Sequence, residues 1–249
     1  MFNNLKIWYH QGKQFIPDVR NVKVPGIFRG RPVISVEKVD EEALAACCPT
    51  GAISQAPLAL DLGRCTFCGE CSSSFPNKIH FTTDYKLSTN DRQLLIIKEG
   101  DDKPIGINKE LIPKEFIALF GRSLKLRQVS AGGDNSCEWE LNAANNVQFD
   151  IGRFGIEFVA SPRHADGILI TGPITANMAE PLQICYDAVP DPKMVILVGT
   201  DAISGGIFAG SPALDRSFLD RYPIDLYIPG NPAHPLTIIN GLLALTGRE

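Results

Sequence analysis

Three cysteines, Cys65, Cys68 and Cys71, stand two residues apart in "RCTFCGECSSSFP", and no other feature constrains the fold of this chain as tightly. Two-residue spacers let three sulfurs converge on one point, while Pro49 and the nearby glycines shape the return of the chain. Five of the seven cysteines lie between Cys47 and Cys71. An odd, bunched set suits metal binding in a reducing compartment better than a disulfide framework. The opening stretch "MFNNLKIWYHQGKQF" lacks a basic segment followed by an apolar run and a small-residue cleavage site. Secretion is therefore not expected, and a cytoplasmic location is.

A bacterial ferredoxin run has the form C-x2-C-x2-C-x3-C-P, and in two-cluster proteins the fourth cysteine of each run ligates the other cluster. Here Phe75 precedes Pro76 where that fourth cysteine would stand, and the only Cys-Pro pair is Cys48-Pro49 in "CCPTGAI". Ligand exchange between runs resolves the defect. Cys65, Cys68 and Cys71 take Cys48 as their fourth ligand, while Phe75 and the absent triplet before Cys47 remove both halves of a second cluster together. The expected cofactor is one 4Fe-4S cluster. Zinc is the alternative for four thiolates, but its usual arrangement is two separated pairs. Cys47 reads as a bystander that a one-residue shift in register would exchange with Cys48. Cys185 reads as a small buried hydrophobe.

With 249 residues, 44% hydrophobic and 21% charged, the chain has material for one large domain or two ordinary ones. A formal net charge of -4 gives no cationic footprint for nucleic acid. Apolar runs such as Met194 to Val198 are far too short to span a bilayer, so membrane association is expected only through partner subunits. Residues 1–84 form a turn-rich cysteine module. Residues 85–122 read as a linker with a strand-like "QLLIIKEG" and a helix-like "PKEFIALFGRS", whose Pro113 suits a first turn. In residues 123–249, "LKLRQVS", "GIEFVAS", "DGILITGP", "KMVILVGT" and "IDLYIPGN" read as strands, with "MAEPLQICYDAV" and "PLTIINGLLALTG" as helices. That alternation predicts an α/β fold with a parallel sheet, whose site lies on the loops beyond the strands' carboxyl ends. No G-x-G-x-x-G or G-x-x-x-x-G-K-[ST] follows any strand, so a nucleotide site is not expected.

The blocks "FGRSLKLRQVSAGGDNSCEWEL", "DIGRFGIEFVASPRHADGILITGPIT", "PDPKMVILVGTDAISGG" and "IDLYIPGNPAHP" resemble the small subunit of membrane-bound, complex I-like nickel-iron hydrogenases, homologous to the small core subunit of complex I. "LDLGRCTFCGEC" resembles the ferredoxin-like subunit of the same complexes. The resemblance implies a fusion of the two: a ferredoxin-like cluster module followed by a flavodoxin-like parallel-sheet domain. It further implies a large-subunit-like partner among other complex members, and a place on the cytoplasmic side of the inner membrane as part of a complex. In that family four cysteines, in C-x-x-C-E-x-E, G-x-C-A and P-G-C-P, hold a proximal 4Fe-4S cluster. The matching positions here are Asp134, Cys137, Asp201 and Asn231, so one thiolate remains of four. Oxygen ligands cannot reproduce a soft four-sulfur cage, and no proximal cluster is expected. Structural hydrogen bonding by the replacements is the expectation, with a hard-cation site as the alternative. Glu140 matches an acidic residue beside that cluster, and Arg163 and His164 in "SPRHAD" match a subunit contact; His164 reads equally as a core histidine. The implied function is electron transfer within an oxidoreductase complex, without independent turnover. The alternative is a non-catalytic scaffold, assembly or redox-sensing subunit.

Overall fold

In the computed structural model, which describes residues 2–12 and 14–248, the first helix, α1 (Phe2–Gln11), contributes no buried residue. The chain enters its core only after Phe15. There β1 (Pro32–Ile34), α2 (Glu41–Ala46) and β2 (Ile53–Ser54) are followed by β3 (Ala59–Asp61), α3 (Glu70–Ser74) and β4 (Ile79–Phe81). Strand β1 pairs antiparallel with β4, and β2 with β3. The two strand-helix-strand halves thus exchange strands around a pseudo-two-fold axis. Phe75-Pro76 begins at the C-cap of α3, and Cys48-Pro49 begins one residue past Cys47, the C-cap of α2.

The stretch "QLLIIKEG" is only partly extended. The Asp91 side chain accepts the Gln93 N–H at 2.9 Å and winds Arg92–Leu95 into a 3-10 turn, so β5 is confined to Ile96–Lys98 and pairs with β3. Helix α4 (Lys114–Phe120) starts directly after Pro113. Between them and the first half, Thr89 bridges antiparallel to Tyr227, which ties this segment to the edge of the second sheet.

That sheet comprises β6 (Leu124–Ser130), β7 (Ile156–Phe158), β8 (Gly167–Thr171), β9 (Met194–Val198) and β10 (Leu226–Ile228). All pairings are parallel. The order β10-β9-β8-β6-β7 is, read from the other edge, the flavodoxin-like 2-1-3-4-5 order. Every residue of β8 and β9 is buried, because helices or the cysteine module cover both faces; this is why those strands read as unbroken apolar runs. Helices α5 (Ser136–Ala144), α6 (Ala176–Asp187), α7 (Thr200–Ser204), α8 (Ser217–Arg221) and α9 (Pro235–Leu245) complete the layers.

Two cores result. On one face Val129, Ile168, Ile170 and Leu197 share a continuous cluster with Leu60, Leu62, Cys65 and Ile97 of the cysteine half. On the other, Leu126, Leu169, Ile196 and Ile228 pack with Leu141 of α5 and Leu242 of α9. Beyond the carboxyl ends of β6, β9 and β10, where the sequence pattern placed a site, lie Asp134, with Cys137 in the first turn of α5, Asp201 in α7, and Asn231 in the loop before α9.

Candidate metal centre

Cys48, Cys65, Cys68 and Cys71 line one cavity, together with Pro49, Gly69 and Phe81. Local chemistry delivers each of them. Helix α2 starts because the Asp40 side chain accepts the N–H groups of Glu42 and Ala43 at 3.1 and 3.0 Å, a standard N-cap. It ends at Cys47, so Cys48 leaves in the turn that follows. Cys65 leaves the Asp61 turn, in which the carboxylate accepts the Gly63 N–H at 2.8 Å and pairs with Arg92 at 2.6 Å. Gly63 is closely approached: an added Cβ would come within 2.8 Å of both Arg92 and Ile203, so one or both would have to shift. Phe67 takes a positive φ of 54°, and its N–H donates to the Cys65 Sγ at 3.3 Å. The Ala52 N–H donates in the same way to the Cys48 Sγ at 3.2 Å. Gly69, at φ 82°, turns the chain into α3 and places Cys71 in its first turn.

Cys65 and Cys71 are buried, Cys48 is half-buried and Cys68 is exposed at the rim. Burial pushes both buried thiols up to about 12; for Cys65 the Phe67 N–H opposes the rise, while Cys71, Cys48 and Cys68 add to it. Such sulfurs become thiolates only when a metal displaces their protons, which couples binding to proton release. Among the described residues no three His, Cys, Asp or Glu side chains are spaced to hold a metal ion. The fit therefore rests on donor chemistry: four soft sulfurs around one cavity, two of them already accepting backbone N–H groups, are what an iron-sulfur cluster takes. Cys47 is not among the lining residues. Its thiol donates to the Leu44 carbonyl at 3.0 Å, although it stays near enough to Cys71 to raise that thiol's pKa.

The second set of positions is built differently. Asp134 makes an Asx turn, its Oδ1 accepting the Ser136 hydroxyl at 2.6 Å and the Ser136 N–H at 2.9 Å; those bonds hold its carboxyl below the usual range. Cys137 is buried, and burial raises its thiol to about 12 against a hydrogen bond from the Ala233 N–H. An added Cβ at Gly199 (φ 93°) would lie 2.5 Å from the Cys137 Sγ, so loop and sulfur are in direct contact. Asp201 is buried, and burial raises its carboxyl, with Asp134 adding and Arg216 opposing. Arg216 donates to the carbonyls of Pro173, Asp201, Ala202 and Ile203 at 2.8 to 3.1 Å, stapling the loop after β8 to α7. Asn231 is half-buried, two residues before the amide that bonds Cys137.

Three residues that the sequence reading did not single out shape this region. The buried Thr200 hydroxyl is within 2.7 Å of the Cys65 carbonyl and 3.3 Å of the Gly230 carbonyl, joining the two sets of loops. Glu138, beneath Cys137, accepts the Ser130 and Thr171 hydroxyls at 2.6 Å each. Arg216 is the third. Only Glu138 carried a signal, as the first acid of "CEWE". Glu140 is half-buried, and burial raises its carboxyl. Arg163 and His164 are exposed in a 3-10 turn, so His164 is no core histidine. Cys185 is half-buried on α6 and not fully enclosed.

Residues 135–245 match the sequence profile described as NADH ubiquinone oxidoreductase, 20 Kd subunit. The "Probable membrane-bound hydrogenase subunit mbhJ" of Pyrococcus furiosus is 40% identical over 130 residues, covering 52% of this chain and 77% of that protein. The chain belongs to the NADH ubiquinone oxidoreductase 20 kDa subunit family. Within the family, an NADH-quinone oxidoreductase subunit of Clostridium beijerinckii is 46% identical over 44% of this chain and 65% of the relative. "Formate hydrogenlyase subunit 7" of Escherichia coli is 40% identical over 51% of this chain and 49% of its own length. The profile of the 20 kDa subunit family spans α5 to α9, and the cysteine cavity lies outside it.

Proposed function

We propose that this chain is an electron-transfer subunit of a multisubunit complex I-like or hydrogenase-like oxidoreductase. In this reading residues 1–84 are a ferredoxin-like module, 85–122 a linker and 123–249 the family domain, fused in one chain. Cys48, Cys65, Cys68 and Cys71 hold one 4Fe-4S cluster, which when bound supplies uptake and release of one electron at a time. Ala52 and Phe67 direct N–H groups at its ligand sulfurs, Leu60 and Ile53 keep water from its inner side, and exposed Cys68 marks the side open to a donor. Partners are a large-subunit-like protein, which provides any active site, and the other members of the complex. The chain works in the cytoplasm, at the membrane as part of that complex. The carrying observation is the single cavity shared by the four cysteines.

The proximal positions Asp134, Cys137, Asp201 and Asn231 hold no cluster in this proposal. Support comes from the replacements themselves: Asp134 closes an Asx turn on Ser136, and Asp201 and Asn231 offer a carboxylate and an amide where a cluster takes thiolate sulfur. A cation there would need converging oxygens, and Asp134 is turned to Ser136 instead. The same loss favours a second reading, a non-catalytic scaffold, assembly or redox-sensing subunit. A large-subunit partner that retains its nickel-ligating cysteine pairs supports electron transfer; one that has lost them supports the second reading.

Anaerobically purified chain should contain about four irons, against about eight if both sites were filled. Cys65→Ser or Cys48→Ser should abolish the broad absorption near about 400 nm typical of the cluster class, whereas Cys137→Ser should leave it unchanged. Zinc without iron would refute the cluster, and a spectrum altered by Cys137→Ser would refute the vacated proximal site.

A further inference from the structure

We propose that α1 is a lipid-docking helix that lays this chain directly on the surface of an anionic bilayer. Sequence patterning gave membrane contact only through partners; the structure supplies a direct element. Phe2 and Tyr9 are each 81% exposed and Trp8 is 72% exposed, and no residue of α1 is buried. A ten-residue helix without tertiary packing is marginal in water. A surface that covered its apolar side would stabilise it.

The distribution of side chains identifies the cover. At 100° per residue, Phe2, Leu5, Trp8 and Tyr9 fall within one arc of roughly 120°. Lys6 and Asn4 flank that arc, and only Ile7 among the large apolar residues lies outside it. Three of the four arc residues are aromatic, and indole and phenol rings favour the headgroup level, where one edge is apolar and the other wet. A helix seated in a protein groove typically reads as aliphatic anchors at i, i+3, i+4 and i+7 instead.

Charge points the same way. The first acidic residue of the chain is Asp18, and Lys6 and Lys13 precede it, in a protein whose net charge is -4. This cationic, acid-free stretch of an acidic protein thus coincides with its unpacked amphipathic helix. Complementarity to phosphodiester headgroups follows, each lysine near such a surface contributing about 1 kcal/mol.

The helix is also mounted for docking. It closes on the Gly12 N–H, which donates to the Trp8 carbonyl at 3.0 Å, and Gly12 turns the chain at φ 60°. Three residues later the path is fixed: the Arg153 guanidinium stacks 5.3 Å from the Phe15 ring centre, and the Ile16 N–H donates to the Gln148 carbonyl at 2.8 Å. The glycine turn thus lies between α1 and the anchored segment, where a change in backbone angle would re-aim the helix without disturbing the folded body. Docking is independent of whether a cluster is bound, so it stands or falls separately from the proposed electron transfer.

The test uses the full chain with Trp139→Phe, which leaves Trp8 as its single tryptophan. Mixed with vesicles of equal parts phosphatidylcholine and phosphatidylglycerol, the protein should float with the lipid and its Trp8 emission should shift to the blue. Leu5→Glu, at an exposed position, should leave the fold and circular dichroism intact yet lower partitioning roughly tenfold or more, the loss of one buried leucine. Lys6→Glu and added salt should weaken binding to these vesicles but not to pure phosphatidylcholine. Absence of flotation, or flotation indifferent to Leu5→Glu, overturns the proposal. So does a Trp8 shift that appears in the native assembly stripped of lipid, which would make a partner subunit's groove the occupant.

Discussion

Asp225, just ahead of β10, accepts the Val195 N–H on its Oδ2 at 2.8 Å, and burial raises its carboxyl to about 6, against that hydrogen bond. A carboxyl with a raised folded-state pKa binds its proton more tightly in the native state than in the unfolded chain. Its contribution to stability is complete below the unfolded value near 4 and is lost as pH rises through about 6. Asp225→Asn keeps an acceptor for Val195 and removes the titration. The variant should therefore gain stability relative to the parent between pH 4 and pH 7, by about 2 to 3 kcal/mol in denaturant unfolding; a difference independent of pH would mean that Asp225 is as well solvated folded as unfolded. Nothing near Asp225 in sequence announced this, because its partner is a backbone amide 30 residues away. Cys65, Cys68 and Cys71 were legible for the opposite reason: their spacing is the geometry. That Cys48 lines the same cavity was to be expected only from the rule that two ferredoxin runs exchange their fourth cysteines.

Elements divide along similar lines. Strands β8 and β9 were plain in the sequence because burial on both faces makes every residue apolar, and α9 was plain because it is apolar around most of its circumference. Helix α5 was missed. It carries Glu138, Glu140 and Asn142 on nine residues and starts from Asn135 in a left-handed conformation, so neither its periodicity nor its start resembles an ordinary amphipathic helix. Helix α7 is five residues long, too short for any periodicity to register, yet it joins the two halves through Thr200. The fully buried Thr200 hydroxyl faces the Cys65 and Gly230 carbonyls. Thr200→Val preserves shape and strands those acceptors, and should cost about 1 to 3 kcal/mol in equilibrium unfolding. Because the bond reaches a carbonyl and not a sulfur, the iron content should not change; loss of iron would mean that Thr200 positions the cysteine loop itself.

At the scale of the molecule, the sequence divides the chain into a cysteine module, a linker and a sheet domain, whereas the packing joins them. Strand β5 of the linker completes the module's three-stranded sheet, Thr89 pairs with Tyr227 at the edge of the other, and Leu60, Leu62, Ile168 and Leu197 share one hydrophobic cluster. Composition cannot reveal this, since an apolar residue reads alike whether its neighbours are its own domain's or another's. Domains with a private core open separately; elements with a common core open together. Native-state hydrogen exchange provides the measurement. Amides of β3 and of β9 should exchange with opening free energies within about 1 kcal/mol of each other, and Gly63→Val, which forces a side chain against Arg92 and Ile203, should lower both together. If β3 opens several kcal/mol below β9, or Gly63→Val loosens the module alone, the two halves fold independently and their shared cluster is an interface between finished domains.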